Sequence, residues 1–297
     1  MPLPLAGRAV DKERSRETDT RLRAPLLLRW WHLASLDAPT VAVVWSLSFA
    51  RSAGVHFPSW VPLLVGLGTW CAYVGDRILD AGSALKTGKL ESLRERHFFH
   101  WRHRRVLLPV AACAALASAA IVLAQMPTVI RARDSVLALA ALAYFSIVHV
   151  PRLRPRWFKL HSKEVLVGTL FTAGCALPTL TRLGDILPSV ASVIFLFLAI
   201  GLYAALAWLN CWAIDRWEAG VVSRSTTLPA RFIGAGAAVL ALPAALFVPR
   251  LSILLAACAA SALLLGLLDL QRGRLTPLTL RCAADLVLLA PIICLVQ

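Results

Sequence analysis

Val190 to Leu209, VASVIFLFLAIGLYAALAWL, is a run of twenty residues without a charged side chain. Coiled as an α-helix at 1.5 Å per residue, it is about 30 Å long, the thickness of the hydrocarbon core of a bilayer. It sits inside a longer apolar segment, 186–214, whose far end carries Asn210-Cys211-Trp212-Ala213-Ile214-Asp215-Arg216-Trp217-Glu218. Outward from this stretch, polar residues, prolines and arginines divide the chain into eight more apolar pieces: 30–50, 58–80, 106–125, 134–150, 163–181, 229–247, 251–270 and 278–296. A hydrophobic share of 59% and a mean hydropathy of +0.71 put the whole chain in the bilayer class. In lipid only helices and closed barrels satisfy their backbone polar groups, and these Leu/Ala runs lack the alternating polarity of barrel strands. The predicted fold is therefore all-α, a polytopic bundle of about nine transmembrane helices over 30–297, preceded by a basic, polar tail over 1–29.

Loop charges set the orientation. Taken alternately, the tail to Arg29 and the loops 81–105, 151–163, 215–231 and 271–281 hold 25 Lys and Arg, against Arg51, Arg131, Arg133, Arg182 and Arg250 on the other side. Cytoplasmic loops retain positive charge, so the N-terminus is predicted in the cytosol and the C-terminus across a plasma or inner membrane. The net charge of +15 is then mostly a topological signal, not a footprint for nucleic acid. The first 24 residues have no apolar core of a signal peptide. Seven scattered cysteines without a CxxC pair read as small apolar packing residues, neither a zinc site nor a disulfide framework.

Ionisable side chains at membrane depth are costly, so the few present are the first candidates for function. Asp76 and Asp80, in Tyr73-Val74-Gly75-Asp76-Arg77-Ile78-Leu79-Asp80, are spaced i,i+4 on one helical face. Asp215 and Glu218 are spaced i,i+3. Both pairs close a span on the cytosolic side, and each is followed by a basic loop. Two such pairs are expected to hold Mg²⁺, which binds carboxylates together with substrate phosphates, and so to clamp a diphosphate. Arg77, Arg94, Arg96, Lys163 and Arg224 are the cations that would neutralise it. Asp37, Glu164 and Asp285 lie near the same face, with Asn210 beside the second pair. The plainer reading makes each acid an interfacial partner of an arginine. The stretch Arg94 to His103, mixing aromatics with cations, reads most simply as a surface-lying helix, with a cap over a cytosolic-side cavity as the alternative. Its three histidines drift around a helix and form no complete metal set.

These residues resemble the UbiA superfamily of intramembrane prenyltransferases, and the resemblance covers about 30–296. Asp76-Arg77-x-x-Asp80 looks like the second half of the family's first aspartate motif; where the family has Asn-Asp, this chain has Ala72-Tyr73. Lys163-Glu164-Val165-Leu166-Val167-Gly168, with Phe171, Gly174 and Pro178, is similar to the opening of the family's fifth helix. Asn210 to Glu218, with Gly220 and Ser225-Thr226, looks like a thinned second motif. Arg281-Cys282-Ala283-Ala284-Asp285 is compatible with the last helix. The resemblance implies transfer of a prenyl group from a prenyl diphosphate to a lipophilic, often aromatic acceptor, with Mg²⁺ held by Asp76, Asp80, Asp215 and Glu218. It further implies diphosphate contacts from Arg77, Arg96, Lys163 and Arg224, and a pocket that includes Tyr73, Asn210, Asp37 and Asp285. Trp70, Tyr73, Phe171, Tyr203, Trp208 and Trp212 are aromatic faces for a developing allylic cation. Two rival readings are a diverged, non-catalytic or differently acting relative that binds an isoprenoid or lipid, and a transporter of a polar or anionic solute.

Overall fold

A computed structural model of the chain describes residues 22–88, 93–149, 161–184, 189–218 and 226–296. The described residues form helices joined by short connections, with no strand beyond one isolated bridge between Leu22 and Leu275. In chain order the helices are α1 (Leu26–Leu33), α2 (Asp37–Ser52), α3 (Trp60–Thr87), α4 (Glu95–Arg102), α5 (Arg104–Gln125) and α6 (Thr128–His149). They continue as α7 (His161–Leu180), α8 (Val190–Glu218), α9 (Thr227–Phe247), α10 (Pro249–Leu270), α11 (Pro277–Val287) and the short α12 (Ile293–Val296). Each of the nine apolar segments read from the sequence contains a helix. Six units are long and apolar enough to cross a membrane: α5, α6, α8, α9, α10 and the stretch from Pro277 to Val296. The α1–α2 pair becomes a seventh if taken as one span bent by 85°.

That bend corrects the uninterrupted helix expected over 30–50. Ser35 takes φ of 59°, the left-handed region, and ends α1 three residues after its last buried histidine. Nothing at Ala34-Ser35-Leu36 announces it, since neither Gly nor Pro is present. Tertiary bonds hold it. The carbonyls freed at the end of α1 accept from α3, His32 O from Arg77 Nη1 at 3.2 Å and Ala34 O from Trp70 Nε1 at 3.0 Å.

The core lies between α2, α8, α10 and α11. Trp45 and Tyr203 stack there with ring centroids 3.8 Å apart, both fully buried. Tyr203, expected among the aromatics facing a reactive cation, is thus a packing residue. Pro291 breaks the last segment because its nitrogen has no hydrogen to give to Val287 O. Ser261 Oγ supplies the missing bond at 2.7 Å, and Trp45 Nε1 donates to the next carbonyl, Leu288 O, at 2.8 Å. Buried backbone groups without water must be repaired in this way. The α7–α8 contact is close for a different reason. A Cβ at Gly168 would stand 2.8 Å from the Trp208 backbone nitrogen, so only glycine lets the two helices approach.

Candidate functional site

The first acid pair stays together. Asp76 and Asp80 project from one face of α3, and His149, the last residue of α6, stands against both. Its Nε2 is 3.1 Å from Asp76 Oδ1 and its Nδ1 3.7 Å from Asp80 Oδ1, and one ligand atom from each of the three residues lies within 4.8 Å of the others. Both carboxylates are about one-third exposed, at 32% and 33%. Lys163, in the first turn of α7, is close enough for its charge to act on both. Sequence reasoning missed His149. The available signal was a single histidine closing an apolar segment on the side predicted to be cytosolic.

The second pair is divided. Glu218 receives Arg96 through both prongs of the guanidinium, Nη1 at 2.6 Å and Nη2 at 3.2 Å. Arg281 Nη1 reaches the same carboxylate at 3.2 Å and Arg94 Nε at 3.5 Å, while Arg94 Nη2 also donates to the Glu218 backbone oxygen at 2.8 Å. Asp215, one turn earlier, is exposed. The carboxylate expected to bind metal is spent on three arginines, and its neighbour faces away. Neither group of clustered candidate ligands among the described residues includes Asp215 or Glu218.

Arg77 also departs from expectation. Predicted to touch a diphosphate, it is only 2% exposed and clamps the α1–α2 elbow: it donates to His32 O and Ser35 Oγ, and its Nη2 lies 3.8 Å from Asp37 Oδ2. Its guanidinium sits over the Tyr73 ring at 5.6 Å. Asp37 begins α2, where a negative charge suits a helix N-terminus, and its Oδ2 is 2.5 Å from His32 Nδ1. Asp285 joins them from α11, and Asn210 Nδ2 donates to Asp285 Oδ1 at 3.3 Å. Asn210 Oδ1 is buried without a partner among the described residues. The predicted pocket residues Tyr73, Asn210, Asp37 and Asp285 therefore surround one buried region, apart from the Asp76–Asp80 edge in its bonding.

The cap helix α4 packs its histidines inward. His100 Nδ1 lies 2.8 Å from Arg96 O and so donates to it, which leaves Nε2 to accept from Ser35 Oγ at 2.8 Å. His97 accepts the Arg94 backbone N–H at 3.0 Å and so caps α4. Burial lowers the His97 pKa to about 3, helped by the Arg96 charge, and lowers that of His100 to about 4. Burial and the nearby Arg281 lower Arg96 to about 10, which leaves it charged at neutral pH. A second missed residue, Asp269, is buried at the end of α10. It accepts Trp217 Nε1 at 2.7 Å and Thr226 N at 2.8 Å, tying the end of α8 and the start of α9 to α10.

Between α1, α4 and the start of α11 is a cleft of about 480 Å³. Arg23, Arg29, Arg94, Arg96 and Arg281 line it together with Glu95 and Glu218. Of the cations predicted to bind diphosphate, Arg96 lines this cleft, Lys163 serves the Asp76–Asp80 edge, and Arg224 lies outside the described residues. Among known proteins, no family model, no curated sequence and no solved structure matches the chain.

Proposed function

We propose that the chain is an integral membrane prenyltransferase of the UbiA type, acting on a prenyl diphosphate and a lipophilic or aromatic acceptor with Mg²⁺. In this reading α2, α3 and α7 join the six strongly apolar units to make nine spans, with the N-terminus cytosolic. The observation that carries the reading is the Asp76–Asp80 edge. Two carboxylates converge there, partly exposed, with Lys163 beside them and His149 as their ion-pair partner among the described residues.

The donor set fits a hard divalent cation on one side only. Asp76 and Asp80 offer the oxygens Mg²⁺ prefers, and the His149 imidazole suits a hydrogen bond to those carboxylates better than a place on the ion. Glu218 does not fit, because releasing it strips three guanidiniums of their anion. When bound, Mg²⁺ supplies positive charge toward the departing pyrophosphate. The chain's residues do the rest. Lys163 draws the diphosphate to the carboxylate edge, and the apolar helices exclude water while the allylic carbon–oxygen bond breaks and its electron pair leaves with pyrophosphate. The allylic carbon then bonds to the acceptor, whose displaced proton is lost to the phosphate side.

Purified protein given Mg²⁺, an aromatic acceptor and radiolabelled prenyl diphosphates of several lengths should release pyrophosphate. Asp76→Asn or Asp80→Asn should lower that release by roughly 10²- to 10³-fold. The arginine cage around Glu218 favours a second reading, a relative that binds an isoprenoid without turnover. Tight prenyl-diphosphate binding with no product at any chain length would select it and reject catalysis.

A further inference from the structure

The arginine-lined cleft is separate from the Asp76–Asp80 edge, and the proposed catalysis leaves it unused. Its lining sets five guanidiniums against two carboxylates. One carboxylate, Glu95, pairs with Arg29; the other, Glu218, is shared by Arg94, Arg96 and Arg281. Arg94, Arg96 and Arg281 thus converge on one carboxylate, with Asp285 and Asp37 close enough for their charges to act on Arg281 as well. Guanidinium forks gathered in this number suit an anion with several oxygens. Arg281 Nε is in addition buried without a hydrogen-bond partner among the described residues.

The backbone adds to this field. The N-termini of α1, α4 and α11 all meet the cleft, through Ala24, Arg94 to Arg96, and Thr276 to Leu278. Helix N-termini carry partial positive charge and spare N–H groups, and α1 starts after Pro25 with no side-chain cap to satisfy its first turn. Two backbone bonds fix the frame, Leu22 N to Arg274 O at 3.0 Å and Thr276 N to Leu22 O at 3.3 Å, which pin the lead into α1 against the lead into α11.

Exposed apolar side chains stand on two of the helices that border the cleft. Leu26, Leu27 and Trp30 of α1 are 69%, 85% and 53% exposed, and Phe98 of α4 is 50% exposed. Trp30 meets Phe99 edge-on at 5.8 Å, so the two short helices form one amphipathic shelf. A phosphate beside an acyl chain has the complementary pattern: the phosphate suits the guanidinium forks and the chain suits the leucines and tryptophan. A volume of about 480 Å³ exceeds what a bare phosphate fills.

We propose that this cleft binds the phosphate headgroup of an anionic phospholipid, seated by Arg29, Arg96 and Arg281 with its acyl chains along Leu26, Leu27 and Trp30. The proposal is independent of turnover at Asp76 and Asp80. Its test uses the full chain in detergent, with binding of dioctanoyl phosphatidic acid, dioctanoyl phosphatidylcholine and inorganic phosphate measured side by side. Phosphatidic acid should bind well above phosphatidylcholine, and inorganic phosphate should displace it only at far higher concentration. Arg29→Gln on the rim should weaken phosphatidic acid by about fivefold and Arg29→Gln with Arg281→Gln by more than tenfold, in line with the attraction of single basic residues for anionic lipid. Arg250→Gln, on the opposite side of the protein's charge map, should leave it unchanged. Because Arg281→Gln also disturbs Glu218, the single Arg29→Gln variant, at a half-exposed position, keeps the test independent of folding. Equal binding of the two lipids, or unchanged affinity in Arg29→Gln, would overturn the proposal. Inorganic phosphate binding as tightly as the lipid would overturn the assignment to a phospholipid and leave a free phosphate compound as the ligand.

Discussion

Two pairs of acids, each one helical turn apart and each toward the C-terminal part of a long helix, meet different fates in this bundle. Asp76 and Asp80 keep a shared face and partial access to water. Glu218 is enclosed by three arginines while Asp215, on the same helix, faces outward. The difference lies outside the pairs themselves. The arginines that take Glu218 come from α4 and its N-cap and from α11, far away in sequence, whereas among the described residues Asp76 and Asp80 meet the imidazole that closes α6, with the Lys163 charge nearby. Spacing decides which acids are neighbours, and the packing of other helices decides whether they remain available.

The sharpest way to break the comparison is to neutralise one member of each pair. Asp215→Asn should retain nearly all of the prenyl-transfer rate that Asp76→Asn loses, when both are measured by pyrophosphate release at saturating Mg²⁺. Equal losses would show that the two pairs work together. Next in size is Glu218→Ala, which leaves Arg94, Arg96 and Arg281 facing one another. Removing one partner of a largely buried ion pair costs about 3 kcal/mol, to be read from thermal unfolding in detergent. Asp215→Ala, with its exposed side chain, should lie within about 0.5 kcal/mol of the parent.

A third test moves the helices instead of the charges. Gly168→Ala forces α7 from α8, between the Lys163 that serves the first pair and the helix that carries the second. Overpacking of this kind costs about 1–3 kcal/mol and should also lower affinity for a diphosphate. A further test uses pH. Burial holds His97 and His100 neutral at folded values of about 3 and about 4, whereas the free side chain titrates at 6.5. The unfolded chain therefore binds more protons below that value. The stability these residues contribute is whole above about pH 6.5 and is lost progressively as pH falls toward 4 and then 3. Protease accessibility of the α4 region should rise over that window, and His97→Gln with His100→Gln should flatten the dependence.

Much of the bundle was legible from composition alone, because twenty apolar residues in lipid leave the backbone little choice but a helix. The cap helix was legible too, from its mixture of cations and aromatics, although its histidines turned out to be inward anchors. The elbow at Ser35 was not, since a serine at positive φ is stabilised by Arg77 and His100, neither of which is near it in the chain. The same reason hid the cage around Glu218. The i,i+3 pattern is local, and the guanidiniums that override it arrive 122 and 63 residues away. Asp269 escaped notice because one acid at the end of an apolar run looks like any interfacial charge until Trp217 and Thr226 are brought to it.

The elbow bears on how α2 could meet a bilayer. With α1 turned aside by 85°, α2 stands alone with 16 residues that rise about 24 Å, shorter than a hydrocarbon core of roughly 30 Å. A short crossing is met by a thinner bilayer or by polar groups drawn inward. Asp37, His32 and Arg77 put buried polar groups at the elbow end of α2, so if α2 crosses a bilayer by itself, that end is where the surface would be drawn inward.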